Sequence, residues 1–293
     1  MFKMKGVVPP MITPFLENGD LDIDGLRRIV NFLSENVQGL FICGSYGSGP
    51  MMSIEERKKV TEVTVAESKG RVDVVAHVGS TSTRTSVDLT KHAIATGVQA
   101  VAAVGPFYFK HKNDSVISFF EDLVQAAKGT PVYVYNNPGF QGYPMDIELI
   151  KSLKNVGVHG IKDATFNIIE HATYQRALGD SFDVVLGTEA MFLSAAALGT
   201  QAFIPGLGNA FPEMNVQMYR EAMENDFVAC RKTQFLINEM REVMYLARST
   251  QLAVYAMLEI REVIKSFPRK PFLPASEEEK GKIKKALMKL NVL

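Results

Sequence analysis

Residues 158–165 read V-H-G-I-K-D-A-T. This is a short apolar run of the kind that forms a buried strand, yet it carries Lys162 near its end. Stripping water from an ammonium costs several kcal/mol or more, so a lysine is rarely fully buried without a partner. Either its head reaches water at the strand tip, or the chain uses an amine that is not charged.

Runs of the same kind recur along the chain. They occupy residues 6–13, 39–45, 73–80, 100–106, 131–137, 158–164, 183–189 and 201–209, eight in all, with helical patterns between them. Residues 22–37 place Leu26, Ile29, Val30 and Leu33 at helical spacing. Ser53 followed by Glu56 is a capping box opening a helix whose apolar set is Ile54, Val60, Val63 and Val65. A further helix is capped by Asn113 or Asp114 and stopped at Gly129. Eight strands that read as continuous apolar runs, alternating with helices, predict a parallel sheet covered on both faces. Eight is also the number that closes a barrel of roughly 250 residues. An open doubly wound sheet usually has a Gly-rich phosphate turn after its first strand, and TPFLENGD is not one. The expected fold is therefore α/β: a (β/α)8 TIM barrel over residues 1–212. Three helical stretches in residues 213–293 make a C-terminal helical domain.

Composition narrows the function. Lys plus Arg and Asp plus Glu number 32 each among 293 residues, so no electrostatic field favours nucleic acid or an anionic membrane as partner. The uncharged stretch 190–212 is broken by Gly199, Pro205, Gly206 and Gly208 and reads as helix, turn and strand, not as a membrane span. Two distant cysteines, Cys43 and Cys230, and no apolar leader fit a cytoplasmic protein. The five histidines form no HExxH and no close pair, so no metal site is expected.

In a barrel, strand side chains alternate between the interior and the helix layer. Val158, Gly160 and Lys162 then share one face, and His159, Ile161 and Asp163 the other. Lys162 lies toward the C-terminal end of its strand, where barrel chemistry sits. A desolvated amine loses its proton and becomes a nucleophile for carbonyl carbon. On the preceding strand Tyr133 and Tyr135 share a face. The second strand ends in Gly44-Ser45-Tyr46-Gly47, a glycine-bracketed hydroxyl turn able to hold a carboxylate but lacking phosphate-loop spacing.

With G-S-Y-G at 44–47, Y-N-N-P-G at 135–139 and G-I-K-D at 160–163, the chain resembles, over essentially its whole length, a family of pyruvate-dependent class I aldolases. That family includes dihydrodipicolinate synthase, N-acetylneuraminate lyase and the archaeal 2-keto-3-deoxygluconate aldolases. The resemblance implies that Lys162 forms an imine with pyruvate, with no other cofactor, and that Tyr135 and Ser45 relay protons. It implies that Tyr108 completes the relay from a neighbouring subunit in a homotetramer built as a dimer of dimers. Gly44, Tyr46 and Gly47 would hold the substrate carboxylate, and the carbonyl of Ile204 would face the lysine.

The second small hydroxyl usual in the carboxylate turn is replaced here by Tyr46. Where the synthases usually carry an arginine, this chain has Phe140, which argues against a charged aldehyde. The G-x-x-G-x-G-P turn is similar to that of sugar-acid aldolases. Asn137, Gln141, Thr165, Thr188, Glu189 and Asn209 would suit a polyhydroxylated partner. The expected substrates are thus a 2-keto acid and an aldehyde, in a cleavage like that of 2-keto-3-deoxygluconate. The dihydrodipicolinate synthase condensation and N-acetylneuraminate cleavage are the alternatives. A metal-dependent lyase and a non-catalytic binding relative are the readings from other classes.

Overall fold

The structure is a computed structural model and describes residues 2–293. Eight strands alternate with helices: β1 (Gly6–Val7), β2 (Gly39–Ile42), β3 (Asp73–His77), β4 (Ala100–Val104), β5 (Val132–Asn136), β6 (Gly160–Asp163), β7 (Asp183–Leu186) and β8 (Ala202–Phe203). The helices are α1 (Ile23–Ser34), α2 (Ile54–Ser68), α3 (Thr83–Thr96), α4 (Asn113–Ala127), α5 (Pro138–Gln141), α6 (Ile147–Asn155), α7 (Ile168–Leu178), α8 (Phe192–Ala197), α9 (Pro212–Met223), α10 (Phe227–Met244), α11 (Thr250–Ile260) and α12 (Glu277–Lys289).

All strand pairings are parallel, in the order β1-β8-β7-β6-β5-β4-β3-β2. A bridge from Pro10 to Phe41 joins the two ends, helped by Gln38 N–H to Val7 O at 3.2 Å and Met11 N–H to Phe41 O at 2.9 Å. The fold is a (β/α)8 barrel with C-terminal helices, as the eightfold alternation predicts. α9 follows β8 and packs on β1 and α8.

Two apolar layers result. The outer one lies between strands and helices and holds the α1 stripe Leu26, Ile29, Val30 and Leu33. The inner one fills the barrel with small residues from β4, Phe41, Val75, Tyr133, Tyr135 and Val185. Gly160 is part of that packing: a Cβ there would overlap the Tyr133 ring and the Asp183 carbonyl. The Tyr133 hydroxyl donates to Asp183 at 2.6 Å.

Several expectations need correction. β1 and β8 are two residues each, far shorter than the runs 6–13 and 201–209. Pro9 and Pro10 have no N–H for a ladder, and Leu207–Asn209 turns into a 3-10 helix. Val158 belongs to the outer layer, not to the face of Lys162. Its N–H bonds Leu153 O and that of Gly157 bonds Lys154 O, a Schellman stop for α6, so alternation starts only at Gly160. His159 does not face helices either: its Nε2 lies 2.7 Å from Phe2 O. The stretch from Glu213 to Ala247 is broken at Glu224–Asp226, where Asp226 caps α10. α2 keeps its capping box, but Ile54 is exposed and Arg57 is buried on the inner face. Arg57 donates to the carbonyls of His77 and Gly79, which fastens α2 to the end of β3.

Candidate active site

Lys162 projects into the barrel interior and is 3% exposed. Its Nζ sits 3.9 Å from the ring centroids of both Phe41 and Tyr135. Burial alone lowers its pKa from 10.5 to about 7. Aromatic faces replace only part of the lost hydration of a cation. Near neutral pH the uncharged amine is therefore within reach, as it is not for an ordinary lysine.

Strand pairing puts Tyr135 directly beside Lys162, since the two are register partners on β5 and β6. The Tyr135 hydroxyl accepts from Asn137 Nδ2 at 3.2 Å and lies 3.5 Å from Ser45 Oγ. Burial raises the Tyr135 pKa, so the phenol rests protonated. His77 packs edge-on against Tyr135. Its Nε2 is 3.0 Å from Val104 N–H, which can only donate, so that nitrogen accepts and the ring proton sits on Nδ1. Burial first, then the charges of Arg57 and Lys162, push the His77 pKa well below its usual value and keep it neutral.

Ser45 and Tyr46 lie on a turn forced by backbone geometry. Cys43 and Ser48 adopt left-handed φ values of 56° and 54°. Gly49 has no alternative residue, since a Cβ would overlap the Cys43 carbonyl. The turn's carbonyls are used internally: Gly44 O accepts from Gly49, Ser45 O from Ser48, Tyr46 O from Gln251 and Gly47 O from Thr13. The N–H groups of Ser45 and Tyr46 donate to no acceptor among the described residues. Two adjacent free N–H groups are a ready partner for a carboxylate.

These groups line a cavity of about 350 Å³ together with Asn137, Phe140, Thr188, Glu189 and Ile204. Gly44 and Gly47 are buried within the turn and shape it rather than the cavity wall. Thr165 is absent from the lining. Its hydroxyl donates to Asp163 at 2.7 Å, while Asp163 also holds His171 at 2.9 Å on the outer side of β6. Gln141 and Asn209 are structural too: Gln141 bonds Asn136 and Tyr143 O, and Asn209 bonds Ile12, Pro10 and Gly206. Glu189 lines the cavity but is already engaged, with Arg241 at 2.7 Å and the N–H groups of Gly206 and Leu207 at 3.1 and 3.3 Å. Tyr108 is not in the cavity at all; it is 85% exposed, at a left-handed φ of 79°.

Sequence reasoning missed the cavity's far wall: Arg241, Tyr245, Ser249, Thr250, Gln251 and Phe272. A signal existed. Gln234, Asn238 and Arg241 recur at i, i+4 and i+7 on one face of α10, and all three bond Glu189 or Ala190. A polar stripe on the buried side of a helix marks a face turned toward something other than apolar core.

With the geometry in place, the relatives decide the family. The Dihydrodipicolinate synthetase family model matches residues 3–290. The chain belongs to the dihydrodipicolinate synthetase family. It is 29% identical over 290 residues to a 4-hydroxy-tetrahydrodipicolinate synthase of Bradyrhizobium diazoefficiens, covering 98% of this chain and 96% of that one. It is 32% identical over 285 residues to an N-acetylneuraminate lyase of Citrobacter koseri, covering 94% and 93%. The crystal structure of KD(P)GA from T. tenax superposes with a TM-score of 0.90 at 27% identity, covering 98% and 99%. As a dihydrodipicolinate synthetase family member, the chain is a pyruvate-dependent class I aldolase, an enzyme of the carbon–carbon lyase class. Among the described residues no helix is long and apolar enough to cross a membrane, and no group of three or more His, Cys, Asp or Glu is placed to hold a metal.

Proposed function

We propose that the protein is a Schiff-base lyase that cleaves, or forms, a 2-keto-3-deoxy sugar acid, with pyruvate and an uncharged aldehyde as the other side of the reaction. The observation that carries this reading is the Lys162 amine, buried with no counter-charge beside a protonated Tyr135 on one cavity.

Neutral Lys162 Nζ adds to the C2 carbonyl of the 2-keto acid. Tyr135 gives its proton to the departing hydroxyl, water leaves, and an iminium forms. The Tyr135 phenolate then takes the proton of the C4 hydroxyl, the C3–C4 bond breaks, and its electron pair passes into the iminium as an enamine. The aldehyde departs, Tyr135 passes that proton on to C3, and water hydrolyses the iminium to pyruvate and free Lys162, its proton restoring the phenol. Ser45, 3.5 Å from Tyr135, passes the proton along, and the free N–H groups of Ser45 and Tyr46 hold the carboxylate. The Ile204 carbonyl is assigned beside the amine. The iminium supplies the polarisation that a Lewis acid supplies elsewhere.

The aldehyde half of the cavity supports an uncharged partner. Phe140 stands where a guanidinium would meet a second carboxylate, and the arginine in the lining, Arg241, is neutralised by Glu189. Asn137, Thr188 and Thr250 remain as uncharged polar contacts. Exposed Tyr108 and Phe109 stack edge-on at 5.0 Å, which supports a homotetramer in which Tyr108 enters a neighbour's site. A chamber of about 290 Å³ beside Ser45, lined by Met51, His77 and Phe107, is room for such a ring. Both cysteines are free and buried, in keeping with a cytoplasmic location.

Pyruvate release from 2-keto-3-deoxygluconate and from N-acetylneuraminate, set beside pyruvate consumption with aspartate semialdehyde, tests the substrate. The sugar acid is expected to turn over fastest; a faster condensation with aspartate semialdehyde would assign the synthase reaction instead.

A further inference from the structure

Tyr46 occupies the place where a small hydroxyl would stand in the carboxylate turn, and its ring does not simply point away. The phenol reaches across the barrel mouth from the end of β2 to the first turn of α11, where it donates to Thr250 Oγ1 at 3.0 Å. Its backbone carbonyl is held from the same helix by Gln251 Nε2 at 3.0 Å. On its way the hydroxyl passes Gly206, just after β8, where any Cβ would strike it. Three elements thus fix the ring as a partition, and it lines the same cavity as Lys162.

On the same cavity wall is Glu189, both of whose oxygens are taken by Arg241 and two backbone N–H groups. That wall is charge-neutral, because Glu189 is paired with Arg241. Burial and the nearby Glu189 carboxylate both raise the Tyr46 pKa, so the phenol stays uncharged. At about 350 Å³, the cavity falls at the small end of the roughly 300–1,000 Å³ typical of ligand pockets.

We infer that the Tyr46 ring is the length gauge of the aldehyde half-site, admitting short uncharged aldehydes and excluding long ones. This rests on the lyase reading above. The Tyr46 N–H still serves the carboxylate turn, while its side chain takes the space into which a longer aldehyde chain would extend. A pocket wall discriminates by sterics, and each extra group forced against it costs roughly tenfold or more in kcat/KM.

The test is kcat/KM, by pyruvate release, for a series of 2-keto-4-hydroxy acids of increasing length. The series runs from the homologue releasing acetaldehyde, through 2-keto-3-deoxygluconate, to N-acetylneuraminate. The wild-type enzyme should favour the short members over N-acetylneuraminate by at least roughly tenfold. Tyr46→Thr should raise the long-to-short ratio by a similar factor, and Tyr46→Phe, which keeps the ring, should leave it where it was. A wild-type enzyme indifferent to length overturns the assignment. So does an unchanged ratio in Tyr46→Thr, or a shift in Tyr46→Phe as large as in Tyr46→Thr. Borohydride trapping with pyruvate is run on all three proteins. An adduct on Lys162 throughout, with an unmoved ratio, sinks the gauge alone; no adduct in the wild type sinks the lyase reading and the gauge with it.

Discussion

Lys162 is tolerated where it stands because it can give up its proton. Its pKa falls from 10.5 to about 7 on folding, through burial. Below about pH 7 the native state must hold a buried ammonium, and the full penalty applies. Between about 7 and 10.5 the unfolded chain binds a proton that the native chain does not, so stability rises with pH across that window. At roughly 1.4 kcal/mol per unit, the cost near neutral pH is a few kcal/mol. Lys162→Met keeps the length of the side chain without the charge. It should be more stable than wild type by about that much in urea unfolding at pH 6, with the gap closing toward pH 10, and it should have no lyase activity. A gap independent of pH would mean that the amine is solvated. The same titration predicts that wild-type kcat/KM climbs as pH rises through about 7. That Lys162, Tyr135 and Ser45 meet on one cavity was legible in the sequence, since strand alternation and three short motifs place them at strand ends. Thr165 was misread because a hydroxyl next to the motif looked available, whereas the Asp163 carboxylate two residues back claims it.

The proposed chemistry rests on the turn after β2. Its left-handed residues, Cys43 and Ser48, and its internally spent carbonyls leave the N–H groups of Ser45 and Tyr46 free. Gly49 holds that shape, so Gly49→Ala must push the Cys43 carbonyl aside and shift Ser45. A displacement of about 1 Å at a reacting group costs on the order of 10²-fold. The variant should lose about that much kcat/KM with its circular dichroism intact; full activity would show that the turn does not position the site. Strand ends were harder to read than strand existence. Pro9 and Pro10 continue an apolar run but break its hydrogen bonding, and Gly157 ends α6 so tightly that Val158 serves the helix stop instead of the barrel. Such local backbone events outweigh hydrophobic pattern at the edges of elements.

At the scale of the molecule, the barrel was legible from its eightfold alternation, but its roof was not. α10 and α11 follow the last strand by many residues, and nothing in their apolar periodicity says that Arg241, Thr250 and Gln251 lean over the mouth of β2 and β7. Only long-range packing decides that. On the surface stands Tyr108, 85% exposed, for which a role in another subunit is proposed above. If it acts there, Tyr108→Ala should lower kcat by roughly 10–10²-fold, the scale of a lost proton-relay group, while sedimentation reports an unchanged or weakened oligomer. Unaltered kcat would confine Tyr108 to the surface. All of this depends on one nitrogen, and the most direct measurement is intact-mass and peptide analysis after incubation with pyruvate and borohydride. The account predicts a single reduced pyruvate adduct on Lys162, formed faster as pH rises through about 7; no adduct, or an adduct on any other lysine, would contradict it.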